Sequence, residues 1–284
     1  MASNPVFQRI EKESRQGYAG FGRAPQQPTA GMAATDAMSA QQLEQMYQRQ
    51  SAGPVQTGRL TLDDVVMKTA GLFALVLVGA VVGWQLAPTL GGLLVMGGIA
   101  ITLVLGLVIA FKKTISVPLI VLYAAVEGVF VGAVSNVYAA VFDEPGTPVF
   151  QGIVAQAVLA TLSVFAAMLI LYTTRVIKVT NKFRRIVTMA IFGYMIFALI
   201  NFGYAVIADK PFGIGGTGAL GIGISLFAIG LAAFSLALDF DSIEHAIAAG
   251  APQKYSWLLA HGLIVTLVWL YLEILRLLGR LRSE

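Results

Sequence analysis

The chain has 284 residues, of which 57% are hydrophobic and 12% charged, and its mean hydropathy is +0.78. Soluble domains carry roughly 25% charged residues, so this composition excludes an ordinary soluble protein and indicates a membrane protein. There are no cysteines, which excludes disulfides, thiolate metal sites and cysteine nucleophiles. The chain has only two histidines. The net charge of +4 comes from short segments between apolar runs, so we interpret it as a determinant of membrane topology rather than a nucleic-acid surface.

Residues 1–59 form a polar segment rich in Gln, Ala, Gly and Ser. Such a composition cannot bury a core and predicts a disordered tail. No apolar segment follows the first residues, so we predict no cleavable signal peptide and expect the tail to stay in the cytoplasm. Residues 60–284 are predicted to form the membrane domain.

Seven apolar segments follow, each long enough to cross about 30 Å of hydrocarbon at about 1.5 Å per residue. They cover residues 65–86, 90–111, 117–141, 150–173, 186–208, 217–238 and 256–278. Thr61 is the expected N-cap of the first helix, and Pro88 separates the first two segments. The predicted fold class is an all-α polytopic membrane protein with seven transmembrane helices.

Basic residues are unevenly shared between the two sides that these seven segments define. The N-terminal side receives Arg59, Lys112, Lys113, Arg175, Lys178, Lys182, Arg184, Arg185 and Lys254. The other side receives Lys210 and three arginines near the C-terminus, Arg276, Arg280 and Arg282, which weigh against the trend. Because basic loops stay cytoplasmic, we predict a cytoplasmic N-terminus and an external C-terminus.

Four acidic residues stand out because charge inside a bilayer is costly and commonly marks an ion or proton path. Glu127 falls near the middle of the third segment and should face the bundle interior, either lining a path or tying helices together. Asp239 and Asp241 end the sixth segment and lie two residues apart, so only one should point inward. Glu273 lies in the seventh segment, where an ion pair with Arg276 is the alternative to a functional role.

Small-residue pairs four residues apart suit close helix contact in lipid. They occur at Gly79 and Gly83 and again at Gly128 and Gly132. We predict that they pack helices within the bundle, with a dimer interface as the alternative.

Three segments carry a resemblance to the Bax inhibitor-1 (transmembrane Bax inhibitor motif) superfamily, and more closely to its bacterial YccA-like members. They are AVEGVFVGAVS at 125–135, LALDFDSIEHAI at 236–247 and WLYLEILRLL at 269–278. The segments SNPVF at 3–7 and LTLDDVVMKTAG at 60–71 are similar to the longer bacterial subgroup.

This resemblance implies a seven-helix fold around a central C-terminal helix, and a pH-sensitive calcium leak gated by two carboxylates. The family's aspartate before Thr-Gln falls on Asp239, its aspartate in the last helix on Glu273, and its Glu-Gly pair on Glu127. The chain departs from the family pattern in having glutamate at 273 and Asp241 at the glutamine position. Helices ending at Ala248 and starting at Ser256 would separate the two gate acids by about 11 Å in depth.

The function expected from these observations is a pH-sensitive calcium leak channel in which Asp239 and Glu273 share a proton. Glu127 and Asp241 are the candidate pore or supporting residues, and Asp239 and Glu273 could bind Ca²⁺ transiently. We expect no enzyme activity, no cofactor and no nucleic acid, and a bacterial inner-membrane location. The alternatives are a regulator or partner of membrane protease quality control, docking through the tail, and a small-solute transporter.

Overall fold

The computed structural model describes residues 58–283, and within that range the regular elements are helices. They are α1 (Leu62–Phe111), α2 (Val117–Phe142), α3 (Ile153–Thr173), α4 (Asn181–Ile207), α5 (Ala219–Ala248) and α6 (Tyr255–Leu281), with a 3₁₀ turn at Val149–Gln151. All six helices are long and apolar enough to cross a membrane. The all-helical class is confirmed and a multi-pass protein is indicated. The predicted tail lies outside the described residues except for its last two, 58 and 59.

The first two predicted segments form one 50-residue helix, α1, with Pro88 inside it, so the described helices number six rather than seven. Proline lacks the N–H that a helix interior uses, and kinks commonly occur there. The prediction that one helix ends and another begins at Pro88 was therefore wrong, because the helix continues through this proline.

Both halves of α1 nevertheless contact the same stretch of α2. A Cβ placed on Gly79 would lie 3.0 Å from the Cα of Gly128, and one placed on Gly98 would overlap the Phe130 side chain. A straight helix would separate Gly79 and Gly98 by about 28 Å. The second half of α1 must therefore bend back toward α2, and Gly91, which faces Val137, lies on this returning half.

The predicted small-residue contact is present between the first half of α1 and α2. A Cβ on Gly83 would overlap the backbone of Val129, and one on Gly132 would overlap the backbone of Ala80. Glycine at these positions allows backbones to approach more closely than any side chain would permit.

The C-terminal helix α6 is the most enclosed of the six and packs against α1, α2, α3 and α5. Its buried side chains include Leu270 and Leu275, which are 0% exposed. By contrast, α4 contacts mainly α5 and has only Val187 and Tyr194 buried. The central position expected for the last helix agrees with this packing.

The loops gather at two ends of the bundle. We call one the basic end, formed by segments 58–61, 112–116, 174–180 and 249–254. Leu60, Ala251 and Ile115 pack together there, and Arg175 reaches Glu244 at the end of α5. The opposite end contains segments 143–152 and 208–218 and the C-terminus of α6.

The chain entering α1 is fastened to the loop between α5 and α6. The backbone N–H of Leu60 donates to Ala251 O at 2.8 Å, and that of Gln253 donates to Gly58 O at 2.9 Å. Thr61 and Asp64 form a reciprocal capping box, which confirms Thr61 as the N-cap. Residues 58–64 thus connect directly to the turn that joins the two helices carrying Asp239 and Glu273.

Candidate functional site

Asp239 lies in the last third of α5, on the side facing α6. Its Oδ2 atom is buried without a hydrogen-bond partner. The Thr266 side chain of α6 lies within hydrogen-bonding reach of the carboxyl group. Burying a charged carboxylate costs several kcal/mol unless it is paired, so a single threonine leaves this group poorly compensated.

Glu273 has a different environment, because three donors surround its carboxylate. Tyr194 of α4 donates its hydroxyl to Oε1 at 2.6 Å, and the indole N–H of Trp269 reaches the same oxygen at 3.4 Å. Arg276 lies 3.3 Å from both carboxylate oxygens. Glu273 is 4% exposed, so it is a buried and electrically compensated acid.

The expected contact between Asp239 and Glu273 is not present in this structure. Asp239 lies beside Thr266, which is seven residues before Glu273 and so about 10 Å away along α6. The oxygens of Glu273 are occupied by Tyr194 and Arg276. The depth offset estimated from helix lengths explains the separation, and the ion pair with Arg276 that the spacing allowed is formed.

Asp241 points away from Asp239 and pairs with the start of α4. Its carboxylate accepts a hydrogen bond from Arg184, and His245 lies 3.4 Å from it. The two aspartates, two residues apart, therefore face different partners. Asp241 is 5% exposed and ties α5 to α4 at the basic end.

A second ion pair at the basic end was missed by the sequence reasoning. Glu244 accepts hydrogen bonds from Tyr172 at 2.5 Å and from Arg175 at 2.8 Å. The hydrogen bond to Glu244 raises the pKa of Arg175 above its usual value. Glu244 lies three residues after Asp241, one helical turn away, and this spacing could have indicated a second acid facing the same end of the bundle.

Glu127 is 6% exposed and lies in the middle of α2, as expected. The Tyr123 hydroxyl lies within hydrogen-bonding reach of its carboxyl group, whereas Oε2 is buried without a partner. The Tyr123 ring meets His261 of α6 edge to face, with centroids 4.5 Å apart. His261 therefore packs against an aromatic ring.

Glu127 and Asp239 lie at the same level of the bundle on different sides of α6. The helices α2 and α6 run parallel, since Tyr123 meets His261 and Ser135 shares a 2.7 Å hydrogen bond with Tyr271. Glu127 is therefore level with residues 264–266 of α6, where Asp239 also lies. His261 and Thr266 point about 140° apart around the helix. Two poorly compensated carboxyl groups thus flank one turn of the central helix.

Arg280 was not singled out by the sequence reasoning, although it is 1% exposed. Its guanidinium donates to Gly221 O, to Ser225 Oγ at 2.9 Å and to Phe212 O at 3.0 Å. These neutral acceptors fasten the end of α6 to the α4–α5 loop and the start of α5. Arg282 likewise donates to Asp143 at 2.5 Å.

Within residues 58–283, no group of three or more histidine, aspartate or glutamate side chains lies close enough to hold a metal ion. Two of the carboxylates on α5, Asp241 and Glu244, are held in ion pairs with Arg184 and Arg175.

A family model described as Bax inhibitor 1 like matches residues 4–283, almost the whole chain. No curated protein and no solved structure matches the chain significantly.

Proposed function

Because the chain belongs to the Bax inhibitor 1 like family, we propose that it forms a pH-sensitive cation leak in a bacterial inner membrane, with calcium as the expected ion. The observation that carries the proposal is the Asp239 carboxyl group, whose Oδ2 atom is buried without a hydrogen-bond partner and which forms no ion pair within residues 58–283. Membrane proteins seldom retain such a group without a functional reason.

Asp239 and Glu273 have separate roles in this proposal. A proton on Asp239 keeps the group neutral, and α5 stays packed on α6. Loss of that proton at higher pH introduces a charge that, in the described part of the chain, meets the Thr266 side chain and no cation, so water and a cation are drawn toward it. Ca²⁺ prefers oxygen ligands of this kind, and Glu127 offers a further carboxyl group at the same depth.

Glu273 controls the next step along the path, about 10 Å further along α6. While Tyr194 and Arg276 hold its carboxylate, it carries no uncompensated charge and attracts no cation. Opening then requires these bonds to loosen. In this proposal Asp239 and Glu273 do not share a proton, as the sequence had suggested, but act one after the other along the path.

Seven membrane crossings and a cytoplasmic N-terminus are part of the proposal. Seven crossings are supported by the return of α1 toward α2, because Gly79 and Gly98 contact the same part of that helix. The orientation is supported by the excess of basic side chains at the end where α1 begins. The three arginines that weighed against it have partners in the bundle: Arg276 pairs with Glu273, Arg280 with loop carbonyls, and Arg282 with Asp143.

The test is calcium flux into liposomes that contain the purified protein, measured after a step from low to high pH. We expect Asp239→Asn combined with Glu273→Gln to abolish the pH-dependent flux. Glu144→Gln, in an exposed loop, is the matched control and should leave it unchanged. Unchanged flux in the double variant would show that these acids do not control a leak.

A docking role in protease quality control makes the opposite prediction for a truncated chain. Deleting residues 1–57 should preserve the leak, because the deletion keeps Gly58 and Leu60, which fasten the start of α1 to the loop between α5 and α6. A docking function carried by the tail would be lost. A small-solute transporter would instead show thermal stabilisation by its solute.

A further inference from the structure

A long apolar groove lies between α1 and α3 and has a volume of 810 Å³. Both helices pack on α6 but leave this space between them, and α6 forms its floor. Its lining includes Phe73 and Leu77 of α1, Val158 and Leu162 of α3, and Ile264 and Val268 of α6.

The groove opens sideways, toward the region that the bilayer occupies. Leu77 is 51% exposed and Leu162 is 45% exposed, whereas Ile264 on the floor is 1% exposed. Its volume lies within the roughly 300–1,000 Å³ of ligand pockets, and its lining is almost entirely apolar. A hydrocarbon chain can therefore pass from the bilayer into contact with the central helix.

One end of the groove lies at the basic end of the bundle, where Leu62, Ile243 and Leu169 line it. The exposed Arg59 precedes Leu62 by three residues, and Arg175 follows Leu169 by six.

The charges of the two ends differ strongly within the described residues. Counted together with the adjoining turns of α1, α4 and α5, the basic end carries ten lysine and arginine side chains against the four acids Asp63, Asp64, Asp241 and Glu244. The opposite end, counted in the same way, carries four of each sign. Anionic lipid headgroups are attracted to basic residues at a membrane surface.

We propose that this groove binds one anionic phospholipid, with its acyl chains against α6 and its phosphate at the basic end. Charge complementarity selects the headgroup, and the apolar lining selects the chains. Phe240 lines the groove and follows Asp239 directly in α5, so the bound lipid contacts the helix segment that carries the candidate gate. The proposal needs only a membrane location and does not rest on the proposed leak.

Native mass spectrometry of the detergent-purified protein tests the proposal, using phosphatidylglycerol and phosphatidylcholine with identical acyl chains. We expect one phosphatidylglycerol molecule to be retained at least about fivefold more than phosphatidylcholine. A ratio of about five corresponds to the attraction of one basic side chain for an anionic headgroup. Equal retention of the two lipids would overturn the proposal.

Two pairs of variants locate the bound lipid. Val158→Trp fills the groove and should remove the retained lipid, whereas Leu199→Trp, at a position 57% exposed on α4, should keep it. Leu162→Trp provides the same test if Val158→Trp does not fold. Arg59→Gln with Arg175→Gln should lower the preference for phosphatidylglycerol, and Lys210→Gln at the opposite end should not. Retention that survives in the filled groove would contradict this site.

Discussion

Glu273 and Asp239 show how two acids with buried carboxylate oxygens in neighbouring helices can differ in what they do. Glu273 accepts hydrogen bonds from Tyr194 and Arg276, so its charge is balanced where it stands. Among residues 58–283, Thr266 is the side chain within hydrogen-bonding reach of Asp239, and Oδ2 of Asp239 has no partner. The first is suited to holding helices together and the second to changing its charge state.

Replacing Arg276 by methionine should destabilise the protein, because Glu273 would keep a buried charge without its cation. We expect a loss of about 1–3 kcal/mol, below that of a fully buried pair because the Arg276 side chain is 35% exposed. Thermal unfolding in detergent measures the loss, with Lys210→Met as the exposed control. Adding Glu273→Gln should restore part of the stability, and no recovery would contradict the pairing.

Tyr194→Phe removes one hydroxyl and should weaken the hold on Glu273 from α4. The lost hydrogen bond goes to a charged group, so we expect about 1.5–3 kcal/mol of destabilisation. In liposomes the same change should raise calcium flux, because the Glu273 carboxylate loses the hydrogen bond that helps to hold it in the closed path. Phe197→Leu, which alters the neighbouring ring without removing a hydrogen bond, is the control. A variant with unchanged stability and unchanged flux would show that Tyr194 does not hold Glu273 in the closed path.

Among the described helices, α1 and α2 form the most extensive contact, and glycine allows their backbones to approach. Gly132→Val would place side-chain atoms on the backbone of Ala80, whereas Gly193→Val on α4 meets open space. We expect Gly132→Val to cost more than about 3 kcal/mol and to lower the yield of folded protein. Gly193→Val should behave like the parent in the same thermal and size-exclusion measurements. Equal stability of the two variants would show that the contact is not needed.

Several features of the helices were predictable because they depend on local pattern. Thr61 begins α1, the glycine pairs meet, and Glu127 faces the interior, each following from spacing and residue type. The continuity of α1 through Pro88 was not predictable, because a proline at that position indicates a helix break. Nor was the Tyr194 contact with Glu273, which joins residues 79 apart and depends on how α4 docks.

For the molecule as a whole, the uneven charge of its two ends and the fold-back of α1 together determine the expected topology. Seven crossings place residue 89 on the same side as Lys210 and opposite Lys113. The chain contains no cysteine, so single introduced cysteines report accessibility without interference.

Labelling of intact cells with a membrane-impermeant maleimide tests this topology. We expect Thr89→Cys and Lys210→Cys to react from outside, and Lys113→Cys to react only after the membrane is opened. All three residues are exposed in the structure. Protection of Thr89→Cys under both conditions would mean that α1 does not reach the outer surface, and six crossings would then apply.

In the proposed leak, proton loss from Asp239 makes the flux depend on pH, and the pH profile of calcium flux for single variants measures this dependence. In liposomes, wild-type flux should rise with pH, and Asp239→Asn should be independent of pH because the ionisable group is gone. Glu273→Gln should keep the pH dependence with a higher basal flux, since its role is to close the path. A wild-type pH profile in Asp239→Asn would contradict the account.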